Sequence, residues 1–219
     1  MKLHLLGYSE SSLSRILDVL WMKGYRDEVV IVTNRPVVNA YPFAHPLLPY
    51  KIVDCKDWKP DTASEQYFPS VTGTESKGAV YNSFHAQFGI DKQHYTNLIH
   101  SSSIISETVV MRTACFVEPG TIITSFAKLG FGVSINRGVS VGHHTELGDF
   151  VTLNPGVHVA GHCKIGDRTQ IGIGTVVFNG VTIGSGSIIG GGCVVTKPIG
   201  DNVIAWGNPC KVIKPNTKE

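Results

Sequence analysis

From Ile105 to Val195 every sixth residue is aliphatic: Met111, Val117, Ile123, Leu129, Ile135, Val141, Leu147, Leu153, Val159, Ile165, Ile171, Val177, Ile183 and Ile189 lie between. A second row stands four places after each of these. It runs through Val109, Cys115, Thr121, Ala127, Val133, Val139, Thr145, Val151, Val157, Cys163, Thr169, Thr175, Val181, Ser187, Cys193 and Ile199, all small or β-branched. A period of six is neither the helical 3.6 nor the strand period of two. It is the beat of a hexapeptide β-helix, in which each hexad is a short strand plus a turn, and sixteen hexads predict about five coils. The large row fills the interior and the small row fits beside the corners. Gly130, Gly142, Gly148, Gly166, Gly172, Gly184 and Gly190 directly follow their aliphatics, where a turning backbone benefits from lacking a Cβ.

The beat is absent from the first part of the chain, and other patterns replace it. Residues 2–6 form an apolar run ended by Gly7, and Leu13, Ile16, Leu17, Leu20 and Trp21 follow at helical spacing. Glu28 to Thr33 reads as a buried strand, Tyr67 to Val71 as another, and Ser76 to Phe88 as a helix. Arg35 to Pro60 reads as Pro-rich and irregular. Strands alternating with helices predict a small parallel α/β domain, Rossmann-like, over residues 1–96, with the coil and a C-terminal cap over 97–219.

Composition narrows the classes. The 219 residues suffice for two modest domains, and a net charge of +2 with no basic run gives no track for nucleic acid or an anionic membrane surface. Three of the five cysteines, Cys115, Cys163 and Cys193, fall in the small row, so they read as buried apolar groups in a reducing compartment. Without a leader-like segment or an 18-residue apolar run, the expectation is a cytoplasmic protein.

Candidate chemistry centres on Val141-Gly-His-His-Thr-Glu-Leu-Gly-Asp-Phe-Val. His143 and His144 fall outside both inward rows and face outward, where a histidine is either solvated surface or a general base. No third ligand at a credible spacing accompanies the pair, so no metal is expected. Solenoids also serve as plain scaffolds. The flat sides of a triangular prism favour self-association, a homotrimer being the simplest closed form.

The hexads, the Gly-His-His segment, the entry Asn97-Leu-Ile-His-Ser-Ser-Ser-Ile-Ile-Ser and the ending Gly207-Asn-Pro-Cys-Lys-Val-Ile resemble the left-handed β-helix acyltransferases. Within them the layout is similar to the nucleotide-linked 4-amino-sugar N-acetyltransferases of the bacillosamine and perosamine type, and to sialic acid O-acetyltransferases. The resemblance implies a trimer with acetyl-coenzyme A between neighbouring coils and a sugar on the N-terminal domain. It places His143 at the catalytic base, and Thr152, Ile173 and Gly191 along the acetyl-coenzyme A site. Gly191 has a second reading, as a tight corner and nothing more.

Three positions depart from the family pattern. His144 stands where relatives carry a carboxylate beside the base, with Glu146 or Asp149 as candidate substitutes. Thr152 replaces a histidine of some members. In the nucleotide site only Gly7 remains of a Gly-rich turn; Tyr8, Ser9 and Ser11 follow it, Thr33 and Asn34 replace acidic residues, and Thr72 and Gly73 lie near another contact loop. The leading expectation is an acetyl-coenzyme A dependent sugar N-acetyltransferase. An O-acetyltransferase and an inactive trimeric scaffold are its rivals.

Overall fold

The computed structural model describes residues 2–35 and 47–217, and the chain divides into two compact units, Met1–His100 and Ser101–Glu219. In the first unit, β1 (Leu3–Leu6), β2 (Val29–Thr33), β3 (Tyr50–Asp54) and β4 (Gln66–Pro69) form a parallel sheet in the order β3-β2-β1-β4. Strands β1 and β2 are buried along their whole length, as central strands covered on both faces must be. Helix α1 (Glu10–Met22) buries Leu13, Ile16, Leu17 and Leu20, the stripe its spacing predicted. Helix α2 (Thr74–Phe88) starts two residues before the expected Ser76 and ends at Gly89, whose φ of 66° closes the last turn. Trp58 packs against Tyr67, Phe84 and Phe88 with ring centroids 5.2–6.0 Å apart.

Strand β3 lies inside Arg35 to Pro60, which the sequence reads as irregular; residues 36–46 of that stretch fall outside the described residues. It is an edge strand in which no residue is fully buried. An edge strand needs little apolar side-chain surface, because its backbone bonds to β2 hold it in place.

The second unit is a left-handed parallel β-helix of two-residue strands stacked in three sheets. The first face carries Ile122–Ile123, Ser140–Val141 and His158–Val159, the second Lys128–Leu129, Glu146–Leu147 and Lys164–Ile165, and the third Ser134–Ile135, Thr152–Leu153 and Gln170–Ile171. Each strand pairs with the one 18 residues on, as in Ser134↔Thr152 and Leu129↔Leu147, so three hexads make one coil. The coil ends in an antiparallel pair, Val203–Trp206 with Lys211–Pro215.

Both hydrophobic rows face the core, from Ile123 through Val195. The polar members of the small row are satisfied there by one repeated bond. Thr145 Oγ1 donates to the Ala160 carbonyl (2.8 Å), Thr169 to Gly184 (2.6 Å), Thr175 to Gly190 (2.8 Å) and the Cys163 thiol to Phe178 (3.1 Å), each fifteen residues on. A hydroxyl or thiol thus enters the interior with its donor already used. The coil cysteines Cys115, Cys163 and Cys193 are fully buried.

The corner glycines have a different cause from the one expected. Gly142 does not adopt a left-handed backbone; instead a Cβ there would lie 2.4 Å from the Ala160 carbonyl carbon of the next coil, so contact between coils forbids a side chain. The left-handed residue falls two places later in each corner, at every sixth position from Ala114 to Gly192.

Candidate active site

The left-handed positions line the three edges of the prism, and the edges differ. Between the third and first faces stand Gly120, Gly138, Gly156, Gly174 and Gly192, all glycine and one coil apart. Between the first and second faces stand Phe126, His144 and His162, with φ of 60°, 57° and 57°, before Gly180 closes the column. Their rings stack up the edge, with centroids 5.0 Å apart for Phe126 and His144 and 4.9 Å for His144 and His162.

His143 sits beside this column, exposed in the same corner. Its Nδ1 lies 3.1 Å from His144 Nδ1, and its ring meets that of His162 edge-on with centroids 4.8 Å apart. The next coil offers Gly161 beneath it, where a Cβ would lie 2.7 Å from His143 Nε2. The ring therefore rests with its Nε2 side over the bare backbone of Gly161, while the residue as a whole stays exposed. If His143 carries its proton on Nδ1 and donates to His144, its Nε2 lone pair is free to accept another.

Neither candidate carboxylate supports this ring. Glu146 is bound to Lys128 Nζ at 3.0 Å on the second face, and that bond, then the lysine charge, holds its carboxyl below the usual range. Asp149 accepts from the Phe131 N–H at 2.8 Å and lies 3.9 Å from Arg112 Nη1. His144 is the partner that His143 has in their place. His162, which the sequence reading overlooked, completes a group of three exposed imidazoles whose ligand atoms lie within 4.8 Å of one another. The expectation of no metal rested on the lack of a third nitrogen near the pair, and His162 supplies one.

Thr152 is buried on the third face. Ile173, 61% exposed, and Gly191 occupy the glycine edge on successive coils. A Cβ at Gly191 would meet Ile173 Cγ2 at 3.0 Å and the Ile173 carbonyl oxygen at 3.2 Å, so crowding by its own chain already accounts for glycine there. In one chain these residues and His143 lie on different edges and are not brought together.

The first unit holds a cleft of about 730 Å³ that gathers Tyr8, Ser9, Thr33, Asn34, Thr72 and Gly73, six of the eight residues expected around a substrate. Gly7 lies behind it with φ of 89°, donating its N–H to Val32 O at 2.8 Å; Ser11 points to solvent and does not line the cleft. The Thr33 hydroxyl donates to Arg35 O at 2.6 Å and so holds the turn at Asn34. Thr72 Oγ1 lies 3.0 Å from Ser12 Oγ and accepts from Arg15 Nη2 at 2.7 Å. Burial and then Glu10 raise the Tyr8 phenol above its usual pKa, which keeps it a donor. Ser12, which lines the cleft, and Arg15, which reaches it only through Thr72, were not foreseen, although both lie in the first two turns of α1. The lining offers hydroxyls and an amide, which suit a sugar or a base, together with the charged Arg35 and Glu75.

Residues 162–197 match the family model described as bacterial transferase hexapeptide (six repeats). No curated protein matches the chain significantly. Among solved structures, the chain is similar to the acetyltransferase domain of PglB from Neisseria gonorrhoeae FA1090 in complex with acetyl coenzyme A, at 22% identity and a TM-score of 0.80, over 97% of this chain and 98% of that one. PerB from Caulobacter crescentus in complex with CoA and GDP-perosamine is similar at 24% identity and a TM-score of 0.80, over 97% of each chain. WeeI from Acinetobacter baumannii AYE is similar at 21% identity and a TM-score of 0.77, over 97% of this chain and 100% of that one. Among the described residues no helix is long and apolar enough to cross a membrane.

Proposed function

We propose that this chain is an acetyl-coenzyme A dependent acetyltransferase that acts on the amino group of a nucleotide-linked amino sugar. The observation that carries the proposal is His143, exposed on a coil edge with Nδ1 beside His144 and Nε2 over the Gly161 backbone. The likeness in fold to an acetyltransferase domain with acetyl coenzyme A, and to PerB with CoA and GDP-perosamine, supports the substrate classes.

In the proposed reaction the sugar amine attacks the thioester carbonyl while His143 Nε2 takes the amine proton. The C–S bond breaks, and the proton returns from His143 to the departing thiolate. No acyl-enzyme forms. The thiols support this, since burial raises the Cys163 pKa and pushes that of Cys210 up to about 12. The glycine edge suits an extended pantetheine arm, because a Cβ at Gly138, Gly174 or Gly192 would meet nothing within 4 Å. Since that edge and the histidine edge are separate in one chain, the reaction calls for a neighbouring coil, in keeping with a homotrimer. The acceptor occupies the first unit's cleft.

Coenzyme A thiol release, followed with acetyl-coenzyme A and a panel of nucleotide-linked amino and hydroxy sugars, tests the proposal. The expected result is turnover of an amino sugar, and a rise of about tenfold in its KM alone for Thr72→Val, consistent with loss of a polar contact. Turnover restricted to hydroxy sugars would overturn the amine assignment.

A further inference from the structure

The three imidazoles on the histidine edge have no role in common in the proposed reaction, which uses His143 and at most its neighbour. Their geometry has another use. His143 Nδ1 and His144 Nδ1 are 3.1 Å apart; two nitrogens bound to one tetrahedral zinc at about 2.0–2.1 Å are separated by about 3.3 Å. All three residues present a ligand nitrogen within 4.8 Å of the others, so small rotations of exposed rings bring the third into range. Neither nearby carboxylate of the same hexads engages these nitrogens: Glu146 is held by Lys128, and Asp149 accepts from Phe131 and lies beside Arg112.

The backbone adds a second observation. His144 and His162 occupy left-handed positions with φ of 57°; glycine fills eight such corners of the coil, and Ala114, Phe126, Phe150 and Arg168 hold the others. A residue with a Cβ is strained there and glycine is not. What sets these two apart is their placement: the rings stand one coil apart, stacked at an interplanar angle of 18° and both beside His143. Imidazole is a preferred ligand for zinc and its neighbours in the first transition series. Three such ligands on an exposed edge leave a fourth position open to water.

We propose that His143, His144 and His162 form a binding site for a divalent transition metal, and that occupancy masks the His143 imidazole and so reversibly inhibits acetyl transfer. The masking rests on His143 as the base; the binding does not. Each imidazole contributes one nitrogen lone pair. The metal releases that nitrogen when it leaves, and no bond of the protein is broken.

Zinc titration of the full chain against a chromophoric chelator, with cobalt as a spectroscopic substitute, reads binding without any activity measurement. One equivalent per chain is expected, with the visible bands of four-coordinate cobalt. His162→Asn, which tolerates a left-handed backbone, should weaken zinc by about tenfold or more, and His162→Gly should do the same. Absence of stoichiometric binding, or an affinity unchanged in both variants, overturns the site. In the thiol-release assay zinc should inhibit the unsubstituted protein, a chelator should restore it, and His162→Asn should resist while keeping its metal-free rate. Zinc that binds without slowing turnover overturns the masking. A protein that binds zinc yet acetylates no sugar leaves the metal site standing and removes the proposed function instead.

Discussion

Two edges of the same coil, built on the same backbone, carry opposite side chains. The edge between the third and first faces is glycine at every left-handed position, whereas the edge between the first and second faces carries Phe126, His144 and His162 with Gly180 at the end. Fold requirements are equal at both, because the φ values all lie between 57° and 73° along these two columns. What differs is therefore not dictated by folding. A bare backbone edge accepts a long flexible molecule closely, and an edge of exposed imidazoles accepts protons or cations. The difference assigns the two halves of the proposed chemistry to two places on one prism.

The sharpest way to break that assignment is His143→Ala. Loss of a general base lowers kcat by about 10²–10⁴-fold, while the exposed ring contributes nothing to the buried core, so melting should hold. Steady-state thiol release and a thermal scan on the same sample decide it. Turnover that survives would return His143 to the status of solvated surface.

The glycine edge should respond differently. Gly174 has a φ of 66° and open space where a Cβ would be. Gly174→Asn adds a side chain that the left-handed backbone tolerates, so the fold is spared and only a ligand lying on the edge is displaced. The expected change is a rise of about tenfold in the acetyl-coenzyme A KM, a loss of about 1.4 kcal/mol of binding, with kcat held. An unchanged KM would mean that this edge binds nothing. A smaller effect is expected from His144→Ala, a loss of a few-fold in kcat, because a neutral imidazole orients its neighbour without supplying the charge of a carboxylate. Losses equal to those of His143→Ala would make the pair a single unit.

How much of this was legible follows from the physics of each half. In the coil, side-chain rows and backbone pairing share one period, so the register of residue i on residue i+18 predicts which groups stack. His144 and His162 are 18 apart, so the period that stacks the hydrophobic rows also stacks these two rings, a spacing that no local metal motif contains. The left-handed positions were harder to see, since Ala114, Phe126, His144, Phe150, His162 and Arg168 interrupt the glycines that would have marked them. In the first unit, β1, β2 and α1 announce themselves through buried apolar spacing, whereas α2 buries Thr74 and Lys77 beside Val80 and Phe84, and β3 is an edge strand with no fully buried residue, held by its pairing with β2. The cleft's residues were named from a family resemblance for the most part. Arg15 escaped because its bond to Thr72 joins positions 57 apart, and no local pattern encodes such a contact.

The finest test compares backbone with backbone. At His162, replacement by Ala and by Gly removes the same ring, its 4.9 Å stack on His144 and its place beside His143. The two variants then differ mainly in left-handed strain, which Ala keeps and Gly relieves, set against the greater freedom of Gly in the unfolded chain. The Gly variant should be the more stable by about 1 kcal/mol, measured by denaturant unfolding with the slope unchanged. Gly174→Ala on the opposite edge should lose about the same amount. Equal values would establish that the two edges pose one conformational demand, and that histidine is kept on one of them despite its cost. A difference much larger on the histidine edge would mean that its backbone is not the same as that of the glycine edge, and the comparison from which both functional assignments proceed would have to be redrawn.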